Sequence, residues 1–239
     1  DICILVASGL LGSVAIFLYL LALQEEKATV VVPFWQLVPV FGYLLGYIFL
    51  DESLTLEQIL AGLLIVAGAL VLSIDLNQSA KYRFKWRIAV LMALSSLTFA
   101  FYEVLFKFVA VSEDFWVSTF WEHVGLIIFG AVLFVFVGRY REEFMKLLRT
   151  NSRWILSLNL GSEILTFVGN IITTFVALSV PIALVLVVSS YQPGFVFVIG
   201  VLLTLLFPRI AQEKITLRDI FQKVCAIAII IVGSHFLNG

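Results

Sequence analysis

The sequence predicts an all-α integral membrane protein, a polytopic helical bundle with eight spans. Three observations lead there. Hydrophobic residues make up 62% of the chain and charged residues 13%, with a mean hydropathy of +1.11; soluble domains average about 45–50% apolar and about 25% charged. Too little polar surface remains to cover such a chain in water, so its solvent is lipid. Several charge-free runs also reach the roughly 20 residues that cross about 30 Å of hydrocarbon. Finally, residues 28–73 form an apolar run, a tight acidic turn and a second apolar run, and residues 181–237 repeat that layout in different letters.

The same reading excludes several functions. A net charge of −1 with no basic face offers nothing to a nucleic acid. Cys3 and Cys225 sit inside apolar runs and read as small buried hydrophobes rather than as a disulfide or metal site. His123 and His235 are the only histidines, and no nucleophile-plus-base pattern accompanies them. Neither a catalytic residue nor a metal nor a cofactor is expected. The chain opens on Asp1 with an apolar run and no positive n-region, which is not a signal peptide; the native N-terminus is expected upstream.

Span one is residues 2–23, closed by Gln24-Glu25-Glu26-Lys27. Span two, 28–50, contains Pro33 and Pro39, each of which removes an intrahelical hydrogen bond that neighbours or water must replace. Asp51-Glu52-Ser53 then turns the chain, and Thr55-Leu56-Glu57-Gln58 has capping-box spacing for the start of span three, which ends near Ile74. After the basic stretch of Lys81, Arg83, Lys85 and Arg87, span four covers about 86–110 and carries Glu103 and Lys107. Span five, 115–137, carries Glu122 and His123. A polar loop is expected over 138–153, with a short interfacial helix at 142–148. Residues 164–208 are charge-free and too long for one span, so the chain must fold back at Ser179-Val180-Pro181. That gives span six at 154–178, span seven at 182–207 and span eight at 215–237. Basic residues gather in two loops, 81–87 and 139–153, while the turns at 51–53, 113–114 and 179–181 are acidic or uncharged. The two sets alternate as consecutive spans require, and the basic set is expected in the cytoplasm.

Spans one to three can be laid on spans six to eight. Ala22-Leu23 falls on Ala177-Leu178, Trp35-Gln36 on Tyr191-Gln192, and Thr55-Leu56 on Thr216-Leu217; residues 207–210 are an insertion before Gln212-Glu213. The pattern of Pro39, Asp51-Glu52, Thr55, Gly62 and Gly68, together with the helix from Trp86 to Lys107, resembles the EamA repeat of the drug/metabolite transporter superfamily. The resemblance implies inverted five-helix repeats, present here as three helices plus five. Residues 1–75 would be the last three helices of one repeat, 76–87 a basic cytoplasmic linker and 88–239 a complete second repeat, with two further helices preceding Asp1. The family's usual orientation would put the loop between repeats on the outer side; here that loop is the basic one, and its cytoplasmic placement follows from the loop charges instead. An odd number of spans per repeat inverts the second copy, and two inverted halves can open a central cavity to either side in turn.

The candidate polar centre follows from depth. At 1.5 Å per residue, Glu163 lies about 15 Å from the Arg153 end of its span, Glu103 about 15 Å from Glu113, and Glu122 about 12 Å from Asp114. Gln36 and Gln192 come out at about 14 and 16 Å. Charges at that depth cost roughly 2.5–3.5 kcal/mol on insertion scales and should face a cavity or a partner. Glu103 and Lys107 are i,i+4 and would neutralise each other on one face, and Glu122 has His123 beside it. Glu163 has no charged neighbour on its own helix and suits a coupling role. Trp35, Tyr191 and Asn170 complete the candidate substrate-cavity set with Gln36 and Gln192, although packing is the plainer role for the aromatics. The glycines Gly9, Gly12, Gly62, Gly68, Gly161 and Gly169 are read as places of close helix approach, and Glu52 and Glu213 as interfacial and structural.

The function expected is a secondary transporter moving a small metabolite by alternating access, with proton coupling. The rivals are a flippase for lipid-linked intermediates and a non-transporting membrane assembly subunit. Expected partners are membrane lipid, a small-molecule substrate and, as an open option, a second copy in a homodimer. A multi-pass place in the cell (plasma or inner) membrane is expected.

Overall fold

The computed structural model describes residues 1–26, 31–73, 86–192 and 217–237, with a few positions between 194 and 206. Its α-helices are α1 (Ile2–Glu25), α2 (Val38–Leu50), α3 (Leu56–Ser73), α4 (Trp86–Ala110), α5 (Phe115–Phe136), α6 (Gly138–Ala177), α7 (Ile182–Ser189) and α8 (Leu217–Leu237), with a 3-10 turn at Val32–Leu37 before α2. There is no strand among the described residues. The all-α membrane class is therefore what the structure has. Ile2–Glu25, Trp86–Ala110, Phe115–Phe136 and Leu156–Ala177 are long and apolar enough to cross a bilayer; Phe34–Leu50, Leu56–Val71 and Phe221–Gly233 are shorter apolar helices. Most of the later part of the seventh expected span falls outside the described residues, as do Lys81, Arg83, Lys85, the 207–210 insertion, Glu213 and the Thr216 cap signal; the eighth expected span is present as α8.

Local chemistry explains the boundaries. Pro33 and Pro39 withhold the amides that a continuous helix needs, and the chain passes through the 3-10 turn before α2 begins. Ser96 Oγ, on α4, donates to the carbonyl of Phe34 at 3.2 Å and anchors that turn. Asp51 ends α2 with φ 52°, the only positive φ at a non-glycine position among the described residues. The capping box at the head of α3 is present in full: the Thr55 amide donates to Gln58 Oε1 at 3.0 Å and the Gln58 amide donates to Thr55 Oγ1 at 3.2 Å. Thr55→Ala is accordingly expected to lower stability by about 1 kcal/mol, read as a fall in the detergent-solubilised melting temperature. An unchanged melt would show that the box is inert. Asp114 caps α5 by accepting from the amides of Trp116 and Val117 at 2.9 and 3.1 Å.

Three expectations are corrected. The loop over 138–153 and its short interfacial helix are instead the first part of the 40-residue α6. Its Arg, Glu, Lys and Leu residues are good helix formers, and Arg139 bonds Glu143 at 3.0 Å across one turn. Cys3 and Cys225 are free and exposed on outward helix faces, where a thiol is apolar enough to meet lipid. Gly161 and Gly169 have nothing within 4 Å of the place a side chain would occupy, so close approach is not their role within this chain.

The bundle is assembled by glycine crossings. α1 lies against α4 and α5, α2 against α4 and α7, and α3 against α8. At Gly9 and Gly125, α1 and α5 cross backbone to backbone: a methyl on Gly9 would strike the carbonyl oxygen of Glu122, and one on Gly125 that of Val6. On α3, a methyl on Gly68 would lie 2.8 Å from Ile230 Cγ1 and 3.1 Å from the Ala226 oxygen. On α8, a methyl on Gly233 would lie 2.7 Å from Ile65 Cγ1 and 3.1 Å from the Ala61 oxygen. Ala61, Ile65 and Gly68 thus meet Ala226, Ile230 and Gly233 reciprocally, across a local two-fold relation between antiparallel helices. This register is one helical turn away from the alignment that places Thr55 on Thr216.

Candidate functional site

Two polar clusters are buried in the half of the bundle where α4 ends. The first joins α4 to α5. The Tyr102 ring lies over Gly12, where an added methyl would be 3.3 Å from it; the small residue on α1 makes room for the ring. Its hydroxyl donates to Glu122 Oε1 at 2.7 Å. Glu122 Oε2 is 3.9 Å from His123 Nδ1, which itself lies 2.8 Å from the Thr119 carbonyl oxygen. The His123 ring also meets Phe167 of α6 edge-on, with centroids 5.2 Å apart. Glu103, next to Tyr102 in sequence, points elsewhere on α4; it is buried and forms no hydrogen bond or ion pair with any described residue.

The second cluster lies one turn further along α4. Lys107 Nζ bonds Glu52 Oε1 at 2.5 Å and donates to the Val180 carbonyl, also at 2.5 Å. The other Glu52 oxygen accepts from the Ile182 amide, the first of α7, at 2.7 Å. A carboxylate at a helix N-terminus satisfies an orphan amide and complements the helix dipole. One side chain thus holds an ammonium and a helix start at once, joining the α2–α3 turn to α4 and to the α6–α7 link. Gly46 of α2 makes this possible, because a side chain there would press on Glu52 Oε2 and on Ile182 Cγ2, each 3.0 Å away.

One sequence reading changes accordingly. Lys107 pairs with Glu52 rather than with Glu103, its i−4 neighbour. Glu52 has the structural role expected of it, and the pair is shielded from solvent: the Glu52 side chain is 14% exposed and that of Lys107 is 8% exposed.

Near the 3-10 turn, Trp35 lies between Tyr19, which it meets edge-on, and Phe99, which it meets at a tilt, with both centroid separations 5.1 Å, and packs against the α2–α4–α7 core. Gln36 is buried and its Oε1 accepts no hydrogen bond. Tyr191, at the end of α7, packs against Ile65, Ala69, Val187, Ala226 and Ile230, and its buried hydroxyl also lacks a partner. Buried polar atoms are nearly always bonded in native proteins, so these two oxygens mark positions available to a polar group from elsewhere.

Residues 1–74 match the EamA-like transporter family. The matched EamA segment comprises α1, the 3-10 turn, α2 and α3, and it supplies Gly12, Gln36, Gly46 and Glu52 to the sites above. The matched family is one of transporters. No curated protein matches the chain.

The remaining predicted residues lie outside these clusters. Glu163 and Asn170 are exposed on α6 and Gln192 is exposed beyond α7. Phe167, one turn from Glu163 on the same side of α6, is the residue that reaches His123. The EamA segment and the rest of the chain meet at Gly9, where close helix approach was expected, and at Glu52, whose bonds to Lys107 and Ile182 the sequence did not reveal. Tyr102 was missed altogether, since nothing local in sequence marks an aromatic that bonds a carboxylate on the next helix.

Proposed function

We propose that this chain works as a secondary transporter, moving a small polar metabolite by alternating access between two inverted halves. The observation that carries the reading is the reciprocal packing of α3 on α8, in which the same three residue types meet from opposite directions. Antiparallel equivalents about a local two-fold are what inverted repeats produce, and such repeats allow one half to rock on the other around a fixed central site. The EamA match over the first of those halves supports the same reading. Gln36 and Tyr191 are proposed to bond the solute through their unpartnered oxygens. Glu103, Glu122 and Glu163 are the proposed coupling carboxylates, and Trp35, Gln192 and Asn170 the further cavity residues.

The test is a metabolite panel applied to the full-length protein, first as ligand-induced thermal stabilisation and then as uptake into liposomes. A solute at 100 times its Kd should stabilise the protein by about 2.7 kcal/mol, and Gln36→Leu should weaken that response. If no solute shifts the melt and none is accumulated, the transporter reading fails and an assembly role takes its place.

A further inference from the structure

We propose that Lys107 is a two-position switch that exchanges Glu52 for Glu103, and that Glu103 holds a proton whenever Lys107 is held by Glu52. The proposal rests on the transporter reading and supplies its coupling step.

Two carboxylates are available to a single ammonium: the largely shielded Glu52, which bonds it, and the buried Glu103, one helical turn before it on α4. Glu103 and Lys107 are i,i+4 on α4, in the order that favours pairing. In this structure Lys107 is engaged instead by Glu52 and by the Val180 carbonyl. Glu103 is left 8% exposed and bonded to no described residue. A buried charge without a partner is neutralised rather than tolerated, and the simplest neutral form of Glu103 is its acid.

Other groups on the elements packed against α4 do not remove this need. α5 brings Glu122 and His123, the former bonded by Tyr102. The α2–α3 turn brings Glu52, α2 brings Tyr43 and Tyr47, and α6 brings exposed Glu163. α1 brings Tyr19 and Cys3, and also Glu25, which pairs with Arg87 at the opposite end of α4. The 3-10 turn and α7 bring no titratable side chain.

The contacts of Glu52 and Lys107 close the end of the bundle that carries the 51–55 and 178–181 turns. Opening that end separates Glu52 from Lys107. The ammonium then turns back to Glu103 and the Glu103 proton leaves to the water that enters. Closure reverses both events. Proton and ammonium compete for one carboxylate, so by linkage proton binding favours the closed end to the same extent that closure favours proton binding.

The experiment is infrared titration of the full-length protein in liposomes with no added solute. At neutral pH the wild type should show a protonated-carboxyl band that Glu103→Gln abolishes. Glu52→Gln should abolish the same band although Glu103 is intact, because Lys107 is freed to pair with it; Lys107→Met should retain it. If Glu52→Gln does not fold, Glu52→Asp shortens the reach to Lys107 and should weaken the band. A band unaffected by the Glu52 variants, or one that survives Glu103→Gln, overturns the proposal. Because the assay uses no solute, its outcome is separate from that of the uptake test. Transport with an unresponsive band rejects the switch alone, and a responsive band without transport rejects the transporter reading alone.

Discussion

Alanine at Gly9 or Gly125 is expected to destabilise the protein by about 3 kcal/mol, the upper end of what overpacking costs. The reason is what the new methyl would meet. At Gly9 it is the carbonyl oxygen of Glu122, and at Gly125 the carbonyl oxygen of Val6, with the partner glycine's Cα 3.2 and 3.1 Å away respectively. Backbone atoms in two crossing helices cannot swing aside as a side-chain tip can, so α1 and α5 must separate. Separation also draws Glu122 away from Tyr102, whose ring sits on Gly12 one turn along α1. The melting temperature of each variant in detergent measures the loss. Gly130→Ala is the matched control, since nothing lies within 4 Å of that position; its stability should stay within about 0.5 kcal/mol of wild type. Equal melts for Gly9→Ala and Gly130→Ala would contradict the crossing.

The second large effect belongs to Lys107. Lys107→Met is expected to cost about 3–5 kcal/mol, because removing one partner of a buried pair strands the other. Here the stranded group is Glu52, which also caps α7 through the Ile182 amide. Glu52→Gln should cost clearly less. Its amide oxygen can still accept from Ile182, and the released ammonium has a second acceptor in Glu103 one turn away. Chemical denaturation of the two variants side by side reads this asymmetry. A Glu52→Gln loss as large as that of Lys107→Met would show that Lys107 has no alternative partner.

Different features were legible to different degrees. The prolines at 33 and 39 and the Thr55–Gln58 box are local, acting within a few residues of chain, and the structure has each where the sequence put it. The stretch 138–153 was misread because charge alone signals solvent, whereas helix propensity and i,i+4 pairing decide whether a solvated segment is coiled or helical. Gln36 and Tyr191 were reached through the repeat, and both prove to carry buried, unpartnered oxygens. Glu163 was reached by depth alone, which sets a residue's height in the bilayer but not its direction around the helix.

By itself the sequence determined the solvent, the helical class and most helix ends, because hydropathy and capping depend on residues near one another in the chain. It also carried the EamA resemblance in the stretch that the family match covers. Only the tertiary structure decided who bonds whom. Lys107 has acidic neighbours both on its own helix and across the bundle. The choice of Glu52 over Glu103 depends on Gly46 letting the α2–α3 turn approach and on the Ile182 amide needing an acceptor. Such preferences are settled by desolvation and helix approach, over distances that no spacing in the sequence records.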